Sequence, residues 1–319
     1  MDTERVGSQP LRVLSAEQRE FYFENGYLLV ESIVPDEWVE RMRAVTDEWV
    51  ERSREITVSD AVFDLEPGHS AEAPRLRRLS SPVSLDERYW AFTSESVIGD
   101  IVADLVGPDV KFHHSKLNFK WAQGGEEVRW HQDIQFWPHT NYSPLTVGTY
   151  LHDVGLDQGP LGVIPGSHRG ELFDEYNDKD QWVGCISDAD LARVDLDRAT
   201  YLTGPAGSVT IHNCRTIHGS KPNVAAVGRP LLLNTFSAAD AFPYTFNPLG
   251  TRYAGVCVRG KPARYARHDP RPCQIPPDWS GGYTSIFALQ QEEAWDEEQL
   301  ATVAAQTAGM QEGNPLGAA

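Results

Sequence analysis

The chain has 319 residues, of which 40% are hydrophobic, and its 9 Trp, 11 Tyr and 12 Phe supply enough bulky side chain to fill a large core, which argues against a disordered chain. A formal charge of −18, with no block of Lys or Arg to reverse it locally, argues against nucleic acid and anionic membrane surfaces as partners. Cys185, Cys214, Cys257 and Cys273 show no C-x-x-C spacing, which disfavours a zinc ribbon or redox site, and no apolar h-region or membrane-length apolar run occurs, so free thiols and a cytoplasmic location are expected.

Ser15, followed three positions later by Gln18, has the form of a capping box and opens a short helix. Asn25 and Gly26 close that helix ahead of a strand-like YLLV at residues 27–30. Beyond Pro35 and Asp36, the positions Trp38, Met42, Val45 and Trp49 recur at helical spacing with charges between them, which predicts an amphipathic surface helix. A third helix is predicted from Ser94 to Val106, with Val97, Ile98, Ile101, Val102 and Leu105 on one face and Gly107 as its stop. The period then changes from helical to two. From Val110 to Phe246, short runs rich in Val, Thr, Tyr and Phe alternate with QGG, GLDQGP, IPGSHRG, TGPAGS and AVGRP, the rhythm of an antiparallel sandwich or jelly roll. Residues 174–200 are acidic and interrupt that rhythm, as an insertion between strands would; residues 308–319 are small and polar and predict a flexible tail. The expected organisation is one domain over residues 1–307, helical at 15–107 and a mainly β core at 110–250, with flanking helices.

In RWHQDIQFW, His131 and Asp133 are two apart, so on a strand their side chains project from one face and can reach one ion together. One imidazole and one carboxylate, joined by a distant second imidazole, make the two-His-one-carboxylate set that leaves three positions open on non-haem Fe(II), room for a bidentate cosubstrate and dioxygen. H-x-D alone does not discriminate, because any two polar residues at i and i+2 on a solvated strand look the same. The discriminating context is GSVTIHNCRTIHGSKPNVAAVGRP, where a strand-like run ends in His218 and Arg229 follows eleven residues later. Arginine suits that place because its planar guanidinium binds a carboxylate through two parallel hydrogen bonds, as the far carboxylate of 2-oxoglutarate requires.

Taken jointly, ENGYLLVE, WHQD at 130–133, QGPLGVIPGSHRG at 158–170, and HGSKPN with Arg229 resemble the phytanoyl-CoA dioxygenase family of Fe(II)/2-oxoglutarate oxygenases, which includes the ectoine hydroxylases. The resemblance covers most of the chain and implies a double-stranded β-helix, a cupin-like jelly roll. It implies that His131, Asp133 and His218 are the iron ligands, that Arg229 pairs with the 2-oxoglutarate carboxylate, and that Gln132, Ser220 and Lys116 make further cosubstrate contacts. Lys116, Asn118 and Lys120 share one face of the strand KLNFKW. His212 has the same strand parity as His218, but His218 has the matching HGS context and the spacing to Arg229. The aspartate at position 133 favours hydroxylation over halogenation, since related halogenases carry a small residue there.

The activity so implied consumes O2 and 2-oxoglutarate, releases succinate and CO2, and hydroxylates an unactivated C–H bond of a small metabolite or natural-product intermediate. The residues after Asp133, namely Gln135, Trp137 and His139, together with Arg78 from RLRRLSS, are the candidates for the substrate side. Ectoine is not carried over as substrate, because the stretch IQFWPHTNYSPLT matches the ectoine-type signature only in part. Two other classes compete: a non-catalytic small-molecule-binding jelly roll, which has no need of Arg229 beside the triad, and a cupin of another mechanism, which leaves HGSKPN unexplained.

Overall fold

Ser15 accepts from the backbone of Gln18 while the Gln18 side chain reaches back to the Ser15 backbone, so the first well-defined helix begins at the predicted capping box. It ends at Gly26, which adopts φ +76°, the left-handed conformation that lets the chain turn directly into a strand. In this computed structural model, which describes residues 3–283, 285–291 and 297–311, the elements follow in order. They are α1 (Thr3–Gly7), α2 (Ala16–Asn25), β1 (Tyr27–Val30), α3 (Asp36–Arg52), β2 (Phe63–Leu65), β3 (Leu76–Ser80), α4 (Pro82–Leu85), α5 (Glu87–Glu95) and α6 (Ile98–Val106). Then come β4 (Val110–Asn118), β5 (Val128–His131), β6 (Leu145–Tyr150), β7 (Leu161–Val163), α7 (Asp188–Leu191), β8 (Thr200–Leu202), β9 (Val209–Asn213), β10 (His218–Ser220), β11 (Leu231–Ala238), β12 (Cys257–Arg259), α8 (Ile286–Gln290) and α9 (Glu297–Gln311).

The strands form two antiparallel sheets, the larger in the order β1-β9-β6-β11-β4-β3-β2 with β12 also on β4, the smaller in the order β5-β10-β7-β8. Strand alternation divides the larger sheet into two chemistries. Phe112, Leu117, Val147, Ile211 and Leu232 join Tyr22, Met42, Val45, Phe92, Ile101 and Leu105 of the helices in the main hydrophobic core. The opposite face carries His114, Lys116, Asn118, Thr146 and His212, which line cavities in the interior. Helices on one face therefore leave the other free for chemistry, with the smaller sheet closing over it.

The structure departs from the sequence reading in several places. The single helix predicted over residues 94–106 is two, α5 and α6, because Ser96 takes an extended conformation (ψ 176°) that interrupts them. Strand β1 falls on the expected YLLV, whereas β2 and β3 lie in the stretch expected to be helical; all three join the larger sheet, since their apolar residues complete the same core. Residues 174–200 do run between β7 and β8, with α7 inside them. Residues 308–311 extend α9 instead of belonging to a flexible tail, and 312–319 lie outside the described residues. All four cysteines are free, and no described helix is long and apolar enough to cross a membrane.

Candidate active site

His131 is the last residue of β5 and His218 the first of β10, and the antiparallel register places them directly opposite each other. Their rings lie 4.1 Å apart between centroids. Each has its Nδ1 against a nearby backbone carbonyl, 2.8 Å from Arg129 for His131 and 2.9 Å from Thr216 for His218. A carbonyl can only accept, so both Nδ1 atoms carry the proton and both Nε2 lone pairs are free. Burial and the neighbouring His131 and His212 rings hold the His218 pKa well below its usual value, which keeps it in the neutral form that ligates metals.

Asp133 does not lie on the strand, as expected, but opens a 3-10 turn over Asp133–Gln135. Gln132 between them is extended (φ −127°, ψ 114°), so the two-residue spacing still brings His131 and Asp133 to one side. Asp133 Oδ1 is 3.7 Å from each of the two Nε2 atoms, and the three donor atoms lie within 4.8 Å of one another. Its other oxygen, Oδ2, accepts from Thr146 Oγ1 at 3.1 Å and faces His212 Nε2 at 3.3 Å. One oxygen is thereby held by protein and the other turned toward the imidazoles. Burial alone would raise the Asp133 pKa, but the His218, His131 and His212 side chains around it and the Lys116 ammonium hold it well below the carboxylate range. Two imidazoles and one ionised carboxylate, all buried, suit a divalent transition metal with positions left open. His212 belongs to the site as a support for the carboxylate, while His218 is the imidazole in the donor cluster.

Arg229 is fully buried and follows the HGSKPN turn just before β11, where its backbone pairs with Lys120 of the neighbouring strand. Its Nη2 donates to Gly159 O at 2.8 Å, whereas Nε and Nη1 have no hydrogen-bond partner among the described residues. Burial pushes its pKa down to about 10, so it stays charged at neutral pH. A buried guanidinium with two free donors is costly without an anion. It lines the same cavity as His131, Asp133, His218, Lys116 and Ser220. The residues therefore fit a bidentate carboxylate at Arg229 and a metal at the triad, the two ends of one dicarboxylate.

Other expected residues separate. Gln132 is turned away from the cavity: its Nε2 donates to Glu171 O and Arg215 O and its Oε1 accepts from Phe173, so its amide groups are spent on the 171–173 loop. Alternation accounts for this, since a residue between two that face the metal faces the other way. Gln135 likewise donates to Phe173 O. Trp137 lines a second cavity beside Asp133, while His139 packs against Trp137 and His113, with Nδ1 2.6 Å from Trp137 O. Arg78 lies behind that cavity, stacked over the Tyr283 ring at 5.5 Å.

Sequence reasoning missed several residues. Thr146 and Thr235 join their hydroxyls at 2.9 Å, and Thr235 reaches His114 Nε2 at 3.3 Å, so a chain of hydrogen bonds runs from Asp133 to His114. A bulge between Thr235 and Phe236 leaves His113 as the extra residue of β4, and its Nδ1 meets that of His114 at 2.6 Å. Ile286 and Phe287 of α8 close the metal cavity, about 150 residues away in sequence from the H-x-D. No local spacing signals these.

Residues 22–231 match the profile of the family described as phytanoyl-CoA dioxygenase (PhyH). The chain is 30% identical over 277 residues to a protein of Stutzerimonas stutzeri named as a probable alpha-ketoglutarate-dependent hypophosphite dioxygenase, covering 86% of this chain and 96% of that one. It is 26% identical over 260 residues to the ectoine dioxygenase of Bordetella bronchiseptica, covering 74% and 78%. Among solved structures it resembles EctD from S. alaskensis with 2-oxoglutarate and 5-hydroxyectoine, at a TM-score of 0.60 and 21% identity over 85% of this chain and 91% of that one. That likeness is one of fold, the jelly roll with flanking helices.

Proposed function

This chain belongs to the phytanoyl-CoA dioxygenase family of Fe(II)- and 2-oxoglutarate-dependent dioxygenases, and from that premise we propose that His131, Asp133 and His218 hold the iron, that Arg229 holds the cosubstrate, and that the enzyme hydroxylates a small metabolite. The observation that carries the assignment is the shared cavity: the buried triad and a buried, half-unpaired arginine open onto one space. The bound metal supplies oxidation by O2 at the cost of one 2-oxoglutarate, giving succinate and CO2.

The protein's part is geometric. Gly159 O and the Lys120 backbone fix Arg229, so that its remaining donors meet the far carboxylate of the cosubstrate. Thr146 and His212 hold one oxygen of Asp133 away from the metal, which favours coordination through a single oxygen. Ile286, Phe287, Val128 and Leu161 wall the cavity with apolar surface and limit the entry of water. Ser220 lines the wall beside Arg229 and is a further cosubstrate contact. Gln132 has no such role in this reading, because its amide is already fully engaged. Relatives named for hypophosphite, ectoine and phytanoyl-CoA share no single substrate chemistry, so none of these is transferred.

Anaerobic addition of Fe(II) and 2-oxoglutarate should give a weak visible charge-transfer band. A wild-type protein without that band, or an undiminished band in Asp133→Ala, would sink the assignment. A metabolite screen that reads substrate-dependent succinate would then identify the substrate.

A further inference from the structure

Lys116 faces the flank of Asp133 without a partner of its own. It lines both the metal cavity and a small neighbouring one, and among the described residues nothing accepts a hydrogen bond from its Nζ or pairs with it as a carboxylate. Lys120, two turns of the strand pleat further on, makes the contrast plain, since its Nζ donates to the carbonyls of Glu126, Ser220 and Lys221. The ammonium of Lys116 has no such partner among the described residues.

The charge balance explains what it lacks. Burial lowers the Lys116 pKa, the Asp133 carboxylate raises it, and the Arg78 guanidinium lowers it again. Once a divalent metal is bound, the charge of Asp133 is committed to the metal, and the free donors of Arg229 are taken by the cosubstrate. Among the described residues no other carboxylate lines either cavity. A half-buried cation that faces a cavity gains from an incoming counter-charge. The smaller cavity has apolar walls of Phe136, Trp137, Pro248, Leu249 and Ile286 beside the polar His114 and Tyr283, and it shares Lys116, Asp133 and Ile286 with the metal cavity.

We propose that the smaller cavity is the substrate pocket and that it selects a small monoanion, with an oxyanion headgroup on Lys116 and a short apolar body against Trp137, Leu249 and Ile286. The proposal rests on the functional reading above and adds the substrate class to it. Lys116 is then a substrate-binding residue rather than the further cosubstrate contact that the family resemblance implies. The headgroup chemistry, a carboxylate or a phosphorus oxyanion, is common to two kinds of metabolite, which the test separates.

The anaerobic protein with Fe(II) and 2-oxoglutarate is titrated with butanoate, with ethylphosphonate and with neutral butanamide, and displacement of the charge-transfer band reports binding without turnover. One or both anions should perturb the band while butanamide does not, and whichever anion binds more tightly identifies the headgroup. Lys116→Met, which keeps an unbranched apolar side chain, should weaken the anion by about tenfold or more and leave the 2-oxoglutarate affinity within about twofold. Equal binding of butanamide, failure of both anions to bind, or a 2-oxoglutarate affinity that falls as far as the anion's in Lys116→Met overturns the proposal while the band itself upholds the functional reading. Absence of any band in the wild type overturns that reading, and the proposal with it.

Discussion

Thr146 donates its hydroxyl to Asp133 Oδ2 at 3.1 Å and so decides which carboxylate oxygen faces the two imidazoles. His212 supports the same oxygen from β9, and Thr235 and His114 continue the hydrogen-bonded chain behind Thr146. Removing the hydroxyl should free the carboxylate to rotate. Thr146→Val is expected to weaken Fe(II) binding by about 10- to 100-fold, the usual effect of losing a group that orients a metal ligand, with Thr146→Ser restoring most of it. Fe(II) titration followed by the charge-transfer band measures this; equal affinity in the valine variant would show that the hydroxyl does not orient Asp133.

Arg229 is the cation with the most to gain from the cosubstrate, because Nε and Nη1 are buried without partners. Arg229→Gln should weaken 2-oxoglutarate on the order of 2 to 5 kcal/mol, at least roughly thirtyfold in Kd, with Fe(II) affinity unchanged. Arg229→Lys should recover little, since an ammonium cannot make the two parallel bonds. Calorimetric titration of 2-oxoglutarate into the metal-loaded variants checks both.

Gly159, in the QGPLG stretch, links two sequence landmarks to that arginine. It sits at φ +61°, its carbonyl holds Arg229, and a Cβ there would lie 2.2 Å from Lys221 O in the HGSKPN turn. Gly159→Ala is expected to destabilise the fold by about 1 to 3 kcal/mol through strain and that backbone collision, and to raise the 2-oxoglutarate KM as well. Urea unfolding and steady-state kinetics give the two readouts; a variant with wild-type stability would show that the loop relaxes freely.

Burial pushes the pKa of both His139 and His168 down to about 4 from the usual 6.5. The unfolded chain therefore binds more protons between these values, so the stability contributed by the neutral rings is complete above pH 6.5 and is lost as pH falls toward about 4. His168 packs in the PGSHR turn, its Nε2 3.2 Å from Phe23 O. His168→Asn should make the loss of stability between pH 7 and pH 4.5 shallower, as followed by urea midpoints. An unchanged slope would remove His168 as a contributor.

The convergence of the candidate donors His131 and Asp133 is legible because its logic is local. An extended residue between His131 and Asp133 is enough to bring both to one side, and this holds even though the strand ends at His131 and a turn begins at Asp133. The capping box at Ser15 and Gln18 and the shared face of Lys116 and Asn118 are local in the same way. The same alternation argues against Gln132 as a cosubstrate contact, and the structure turns it into the 171–173 loop. The helix break at Ser96 and the strands β2 and β3 escaped because short apolar runs have no distinctive period of their own.

By itself, the sequence determined the ligand types, their spacing, the arginine that follows His218, and the mainly β character of the chain. Tertiary structure alone decided that His212 braces Asp133 while His218 faces its other oxygen, that a bulge at His113 turns two imidazoles together, and that Ile286 and Phe287 cover the metal cavity. The division follows from the physics of the strand. Which face a side chain takes is fixed by its immediate neighbours, but what it meets there depends on sheet closure between segments more than a hundred residues apart.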